Sequence, residues 1–415
     1  MLRFRSATVL LVLMAAIIGL VVSGCGGSGG SSSTGGGESS STASESLNGP
    51  PIKLMVLGPF EVPPGAGLAF PEIQQGAEAA ADSINANGGV NGSPIELEVC
   101  DTHFDKNQDT ACGRQAVSNE TMAIVGAASP YDNYLTVTND AGIPSVGNFP
   151  LGPADLTEPT AFPLVGGFPP MGAAIGTILT DVAHAKKIVF VTSPVTASDA
   201  AQIEALEAGL AARGVELMKT VDVPPGAADL SSFVASAMEG DADGIIIALD
   251  PSGADKFTLG LKQAGYEGAI SRAGATIPES SIETLGASAE GILVPSNYEL
   301  SKENPAVAEF AKQMEEAHGS TATLDENSAN AWAAVNVVAE LAKHLKKMDA
   351  ASLLKALESA SNVETGISAP VDFAAKPPNP EFPRLFNMEV AYSKVEGGEL
   401  VKAWSKGFIN PYEKP

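Results

Sequence analysis

The chain has 415 residues, of which 24 are Lys or Arg and 49 are Asp or Glu, so its formal net charge is −25 at pH 7. At about 150 residues per domain this length predicts two or three domains, and 44% hydrophobic against 18% charged residues exclude a largely disordered chain. Because a strongly acidic chain repels phosphate backbones, we exclude nucleic-acid binding. The four His residues are dispersed along the sequence, which argues against a histidine-based metal site.

The first 24 residues have the pattern of an export signal. Arg3 and Arg5 precede a run of 16 residues, 7–22, in which Thr8 is the only plainly polar side chain. A helix of this length is about 24 Å long, which is too short for a hydrocarbon core of roughly 30 Å. A basic flank, a short apolar run and small residues are typical of a secretory signal peptide and not of a permanent membrane span.

Cys25 follows the sequence Val22-Ser23-Gly24, and this segment resembles the lipobox of bacterial lipoproteins. The resemblance implies cleavage before Cys25 and lipid attachment to it, with an ordinary signal peptide and an incidental cysteine as the alternative. Residues 25–49 are rich in Gly and Ser, a composition that predicts a flexible tether. We therefore expect an extracytoplasmic protein, lipid-anchored on the periplasmic side or the outer face of the cell membrane.

After Cys25 the chain contains two further cysteines, Cys100 and Cys112, an even pair in an exported protein. Cys100 ends an alternating run that is typical of a strand, and Cys112 lies in the helical stretch that follows. Since a strand beside its own helix can bring two such side chains together, we predict a disulfide, which would stabilise the fold by about 3 kcal/mol. A reactive dithiol is the alternative, although the spacing differs from Cys-x-x-Cys.

From residue 52 onward, short apolar runs alternate with helical stretches. The first strand is predicted at 52–57, and Pro71 is well placed to begin the helix after it. Further strands are predicted near 95–100, 123–126, 143–146, 188–191, 215–221, 244–249, 268–272 and 291–295. Helices are predicted near 107–119, 131–140, 171–184, 199–212, 229–238 and 253–264. This alternation predicts βαβ units with parallel sheets, and the number of strands favours two α/β lobes over one sheet.

Beyond residue 300 the pattern changes to three helices, predicted near 305–318, 325–346 and 349–359. Two late strands are predicted near 367–373 and 385–393, on either side of a proline-rich segment.

Several segments of the body share a pattern known from one family. Residues 52–59 read Ile-Lys-Leu-Met-Val-Leu-Gly-Pro, residues 75–80 read Gln-Gly-Ala-Glu-Ala-Ala, and residues 84–92 read Ile-Asn-Ala-Asn-Gly-Gly-Val-Asn-Gly. Ala-Gly-Ile-Pro at 141–144 and Ala-Glu-Gly-Ile at 289–292 come at matching places farther on. Together these segments resemble the leucine/isoleucine/valine-binding protein family, the type I solute-binding proteins of ABC transporters.

The resemblance implies the type I periplasmic binding protein fold, an α/β architecture of two Rossmann-like lobes with parallel sheets joined by a hinge. In this family the chain crosses three times between the lobes. That implies lobe 1 at 52–169 plus 296–372 and lobe 2 at 170–295 plus 373–415. A ligand would bind in the cleft between the lobes and be buried when the hinge closes.

By the family pattern, the lobe 1 wall of the cleft comes from the loops after the first, third and fourth strands. The candidate ligand-binding residues in those loops are Phe60, Phe70, Ser129, Tyr131, Phe149 and Leu151. Ser129, near a predicted helix start, either offers its hydroxyl to a carboxylate or only caps the helix.

Amino-acid binders of the family commonly have small residues and a Ser or Thr where this chain has Phe149, Pro150 and Leu151. They often have a carboxylate near 273–276, where this chain reads Ala-Gly-Ala-Thr. The family would have aromatic residues near 197 and 250, where this chain has Ala197 and Asp250. The groups that recognise a zwitterion are thus largely missing, which argues against a standard branched-chain amino acid.

The phenylalanines, with Phe168 added, favour an apolar or aromatic ligand body. Arg272 is the candidate partner for a ligand carboxylate, because its guanidinium can hold two oxygens at once. The alternative is a surface salt bridge. Asp250 is placed either to bind a cationic or hydroxyl group of the ligand or to cap the next helix.

The sequence contains no nucleophile elbow, no Walker A motif and no dinucleotide fingerprint, so we expect no enzymatic activity, no cofactor and no metal. The predicted function is that of a monomeric substrate-binding lipoprotein. It would capture a small organic solute, amino-acid-like or an apolar or aromatic organic acid, and present it to an ABC permease. The alternative is a membrane-anchored sensory receptor with the same fold.

Overall fold

A computed structural model of the chain describes residues 47–63, 69–193, 198–377 and 380–414, with the side chains of 198–201 left out. These residues belong to one compact unit, 44–415. The predicted signal peptide, Cys25, nearly all of the tether and Ala197 lie outside the described residues. In the described ranges, no helix has both the length and the apolar character required to cross a bilayer.

The first lobe is built on a parallel sheet of five strands in the order β2-β1-β3-β4-β5. These strands are β1 (Ile52–Gly58), β2 (Ile95–Asp101), β3 (Ala123–Val125), β4 (Ser145–Val146) and β5 (Ala161–Phe162). The connecting helices are α1 (Pro71–Ala86), α2 (Lys106–Ser118), α3 (Asn133–Asp140) and the short α4 (Pro153–Thr157). A disulfide joins Cys100 in β2 to Cys112 in α2. The sequence predicted neither α4 nor β5, because five and two residues are too short to show periodicity.

The second lobe contains the other sheet, in which β10-β9-β8-β6-β7 are parallel neighbours. Its parallel strands are β6 (Ile188–Thr192), β7 (Leu217–Asp222), β8 (Gly244–Ala248), β9 (Ala269–Ser271) and β10 (Leu293–Ser296). The helices of this part are α5 (Phe168–Asp181), α6 (Ser198–Ala211), α7 (Ser231–Met238), α8 (Pro251–Gln263) and α9 (Glu279–Leu285). The two lobes with parallel sheets are the predicted α/β architecture.

After β10 the chain returns to the first lobe with α10 (Pro305–His318), α11 (Glu326–Ala342) and α12 (Ala350–Glu358). Helix α11 packs so closely on α1 that a Cβ at Gly76 would collide with the carbonyl oxygen of Ser328. The buried core of this lobe combines side chains of β1, α1 and α11, so residues far apart in sequence complete one core.

The chain ends in the second lobe with β11 (Val390–Glu396), β12 (Glu399–Lys402) and β13 (Phe408–Ile409), which extend its sheet in antiparallel fashion. The strand predicted near 367–373 does not form, because Pro370 lacks the N–H group that a sheet requires. Only Val371 pairs there, in an isolated bridge with Val363. The other late strand begins at Val390, later than predicted.

Candidate functional site

The loops that follow β3 and β4 meet at the carboxyl edge of the first sheet. The backbone N–H of Phe149 donates to the carbonyl oxygen of Ala127 at 2.8 Å, which joins the two loops. The ring of Phe149 contacts the ring of Phe168 edge to face, with the centroids 6.2 Å apart. Phe168 is the first residue of α5 and is 54% exposed. This aromatic pair therefore lies where the chain passes from one lobe to the other.

The remaining apolar candidates pack mainly on the core of their own lobe. Phe60 is 5% exposed, and its ring lies so close to Gly58 that a Cβ there would be 2.9 Å from the ring. Phe70 and Leu151 are half-buried against the same core. Phe60 is thus mostly core, whereas Phe70 and Leu151 keep exposed surface beside the loops.

Ser129 and Tyr131 form a turn ahead of α3. The hydroxyl of Ser129 is buried and accepts the N–H of Tyr131 at 3.2 Å. The hydroxyl of Tyr131 donates to the carbonyl oxygen of Phe104 at 3.2 Å, and the two rings meet edge to face. Helix α3 begins at Asn133 with Asp132 as its N-cap residue, so Ser129 does not cap this helix and does not lie at its first turn.

Three buried carboxyl groups support these loops from behind. Asp155, 2% exposed, accepts the N–H groups of Leu151 and Gly152, both at 3.1 Å, and the side-chain amide of Asn148 at 2.9 Å. Asp132 accepts the N–H of Ala154 at 3.2 Å. The third, Asp109, accepts the N–H of Tyr134 at 2.9 Å. The described residues contain no group of three or more His, Cys, Asp or Glu that could hold a metal ion.

Burial raises the pKa of Asp155 well above its ordinary value, and the neighbouring negative charge of Asp132 raises it further. Burial likewise raises the pKa of Asp132, to which Asp155 is hydrogen-bonded. Since two such carboxyl groups repel each other when both are ionised, burial and this repulsion together favour the protonated form of Asp155. The pair thereby holds the loop that carries Phe149 and Leu151.

We expect the free energy of unfolding to depend on pH through this pair. A carboxyl group with a raised pKa binds its proton more tightly in the folded state. Its stabilising effect is complete below the unfolded pKa of about 4 and is lost as the pH rises through the folded pKa, at up to about 1.4 kcal/mol per pH unit. Asp155→Asn should therefore become progressively more stable relative to wild type as pH rises, in urea unfolding at several pH values. Asp140→Asn, at an exposed position on α3, is the control; equal pH dependence of all three proteins would contradict the raised pKa of Asp155.

Asp250 and Arg272 lie at the carboxyl ends of β8 and β9 and have structural partners. Exposed Asp250 is the N-cap of α8 and accepts the N–H of Gly253 at 3.1 Å. Arg272 is 0% exposed, and its Nη1 donates to Oδ1 of Asp255 at 2.8 Å while Nη2 donates to the carbonyl oxygen of Thr276. Asp255 and Thr276 thus engage both terminal nitrogens of Arg272, while its buried Nε has no hydrogen-bond partner among the described residues. The ion pair matches the alternative left open by the sequence, except that it is internal and not on the surface.

A carboxylate that the sequence analysis did not single out joins the two lobes. Glu326, buried at the start of α11, accepts the hydroxyl of Ser296 at 2.8 Å and the side-chain amide of Asn297 at 3.0 Å. Ser296 is the last residue of β10, so the bond spans the point at which the chain leaves the second lobe. In the sequence Glu326 is indistinguishable from the acidic residues that commonly begin helices, and only its distant partners reveal its role.

Beside this junction lies a cavity of about 280 Å³, which we call the interlobe chamber. One wall comes from the second lobe and the other from α10 and the segment before α11. The apolar side chains that define it are Ile277, Ile282 and Leu400 on one side and Val307, Phe310 and Leu324 on the other. None of them was a sequence candidate, because each one follows the ordinary pattern of a core residue.

This chain is similar to known proteins in sequence and in architecture. A family model described as periplasmic binding protein matches residues 51–381. A leucine-binding protein from Thermotoga maritima has a TM-score of 0.64 at 18% identity, covering 87% of this chain and 99% of its own. A solute-binding protein of an ABC transporter from R. palustris, solved in complex with benzoate, has a TM-score of 0.64 at 18% identity. The match covers 86% of this chain and 96% of that protein. A fatty acid ABC transporter substrate-binding protein from Thermomonospora curvata has a TM-score of 0.69 at 17% identity. The match covers 87% of this chain and 92% of that protein. No protein with a curated description matches significantly.

Proposed function

Since the chain belongs to the periplasmic binding protein family, we propose that it is an extracytoplasmic substrate-binding lipoprotein of an ABC transporter. It captures a small organic solute between its lobes and presents the closed form to a membrane permease. The observation that carries this proposal is the interlobe chamber, whose walls come from both lobes. A solute that touches both walls favours the closed arrangement over an open one, which is the differential binding that closure requires.

We propose two lobes, residues 52–169 plus 296–386 and residues 170–295 plus 387–415, with the last boundary later than the residue 373 that the resemblance implied. The buried cores support this division. Tyr298, Phe373 and Phe386 pack with the first lobe, while Met171 and Val390 pack with the second. The chain thus crosses between cores near 169, near 296 and between 386 and 390, and movement at three such crossings is a hinge.

The solute is a small organic molecule with a largely apolar body, amino-acid-like or an organic acid. The contact between Phe149 and Phe168 supports an apolar or aromatic body, because both rings lie at a crossing. These two rings and the polar candidates Ser129, Tyr131 and Asp250 do not line the interlobe chamber, so they stay candidates for a part of the solute that extends beyond it. Asp255 and Thr276 already hold both terminal nitrogens of Arg272, so we assign this residue a mainly structural role.

The anchor is a lipid on Cys25, which the mature protein carries at its amino terminus, and the Gly/Ser tether of residues 25–49 links it to the body. The lipobox-like sequence before Cys25 supports this anchor. A tether of this length reaches roughly 25–30 Å, enough for a monomeric body to dock on a permease in the same membrane.

The test is thermal unfolding of the untethered unit, residues 44–415, against a panel of amino acids, aromatic and aliphatic carboxylates, amides and sugars. A true ligand at 100 times its dissociation constant should add about 2.7 kcal/mol to the free energy of unfolding, visible as a shift of several degrees. Saturable stabilisation by one chemical class supports the proposal. Absence of binding across the panel, repeated by equilibrium dialysis, would contradict it and favour a non-transport role for the fold.

A further inference from the structure

The interlobe chamber has a size that suits a small ligand. At about 280 Å³ it lies near the lower end of the volumes of small-molecule sites, about 300–1,000 Å³. Its apolar walls belong to different lobes, with Ile277 and Ile282 facing Val307 and Phe310. Transfer of an apolar group from water into such an apolar space is favourable.

Two buried polar side chains of the walls, Tyr298 and Ser296, are already engaged. The hydroxyl of Tyr298 donates to Oδ1 of Asn330 at 2.6 Å, and the hydroxyl of Ser296 donates to Glu326 at 2.8 Å. Such groups lose little by facing an apolar neighbour, because their hydrogen-bond donors are satisfied within the protein. The interior of the chamber therefore selects for an apolar body.

The charged residues lining the chamber have an excess of negative charge. Nζ of Lys302 lies 2.8 Å from Oε1 of Glu399, so this ammonium is already paired. Glu279 and Asp325 add two more carboxyl groups, and Asp325 is the N-cap of α11. Among the described lining residues there are thus three acids and one base. An anionic head group would be placed against like charge, whereas a cationic or neutral one would not.

We propose that the chamber binds the apolar body of the solute and that the head group at its rim is neutral or cationic, not a carboxylate. This inference rests on the proposed function and narrows the class of solute. A carboxylate elsewhere on the same molecule would have to lie outside the chamber.

The test uses three probes with the same six-carbon chain, hexylamine, 1-hexanol and hexanoate, in calorimetric titrations of the untethered unit at pH 7. We expect hexylamine and hexanol to bind at least tenfold more tightly than hexanoate. Glu279→Gln should reduce the preference for hexylamine over hexanoate by roughly two- to fivefold, as expected for an exposed charge. Glu283→Gln, on the same helix and outside the lining, should leave it unchanged. Equal or tighter binding of hexanoate would overturn the charge argument.

The location is tested by filling the chamber from α10. Ala311 lines it, and Ala317 is exposed on the same helix outside the lining. Ala311→Phe should weaken hexylamine binding at least tenfold, whereas Ala317→Phe should not alter it. If Ala311→Phe fails to fold, as judged by circular dichroism, Ala308→Leu at another lining position replaces it with the same expectation. Unchanged binding in a folded chamber variant would overturn the assignment.

The two proposals can fail separately. Stabilisation by a member of the metabolite panel, together with no binding of any hexyl probe, would reject the chamber as the solute site and leave the transport function standing. Loss of all binding would reject both.

Discussion

Arg272→Met should lower the free energy of unfolding by about 3–5 kcal/mol, because it removes one partner of a buried ion pair and leaves the other charge uncompensated. The orphaned group is Asp255, whose Oδ1 accepts from Nη1 of Arg272 and whose Oδ2 accepts from the hydroxyl of Ser281 at 2.9 Å. The carbonyl oxygen of Thr276 also loses its donor. Urea unfolding of the untethered unit measures the effect.

Two controls separate the ion pair from simple loss of a side chain. Arg114→Met, at an exposed position of α2, should change the free energy of unfolding by less than about 0.5 kcal/mol. The double variant Arg272→Met with Asp255→Leu should recover much of the lost stability, since no buried charge then remains unpaired. A single variant as stable as wild type would show that Arg272 is free for another role, including ligand binding.

Glu326→Ala should lower the free energy of unfolding by about 2–3 kcal/mol. Its carboxylate accepts three hydrogen bonds, from the hydroxyl of Ser296 and from both the backbone N–H and the side-chain amide of Asn297. Truncation leaves these buried donors unsatisfied, which costs more than the net value of the bonds themselves. The loss is reduced because burial raises the pKa of Glu326 and makes its charged form costly.

The same urea unfolding experiment applies, with Glu340→Ala as the matched control on α11. Glu340 is exposed and pairs with Lys343 on the surface, so its removal should cost less than about 0.5 kcal/mol. The loss of free energy of unfolding in Glu326→Gln should lie between those in Glu326→Ala and Glu340→Ala, because an amide keeps only one acceptor oxygen. A change in Glu326→Ala no larger than in the control would contradict the account of this junction.

Much of the fold was predictable because each βαβ unit has recognisable signals within a short stretch of sequence. The apolar run of β1, the proline that begins α1 and the Asn-Gly-Gly stop after it are all short-range signals. The errors came where local signals are weak or misleading. The two-residue β5 has no periodicity, and Pro370 interrupts an otherwise strand-like segment. The end of α11 lies at Ala342, earlier than its apolar pattern indicated.

The site was less predictable because its chemistry depends on partners distant in sequence. Arg272 was a candidate for binding a ligand carboxylate, with a surface salt bridge as the alternative, and only the fold brings Asp255 onto it. Glu326 was overlooked because its partners precede it by about 30 residues. The carboxyl pair of Asp132 and Asp155 was missed for the same reason. The sequence suggests candidate residues for the cleft, but not which of them already have structural partners in the folded protein.

The central claim is that a small molecule binds between the lobes and draws them together. Small-angle X-ray scattering of the untethered unit, with and without a ligand from the thermal screen, tests it most directly. We expect a smaller radius of gyration as ligand occupancy rises to saturation, because closure brings the lobes together. An unchanged radius of gyration at full occupancy would contradict capture by closure.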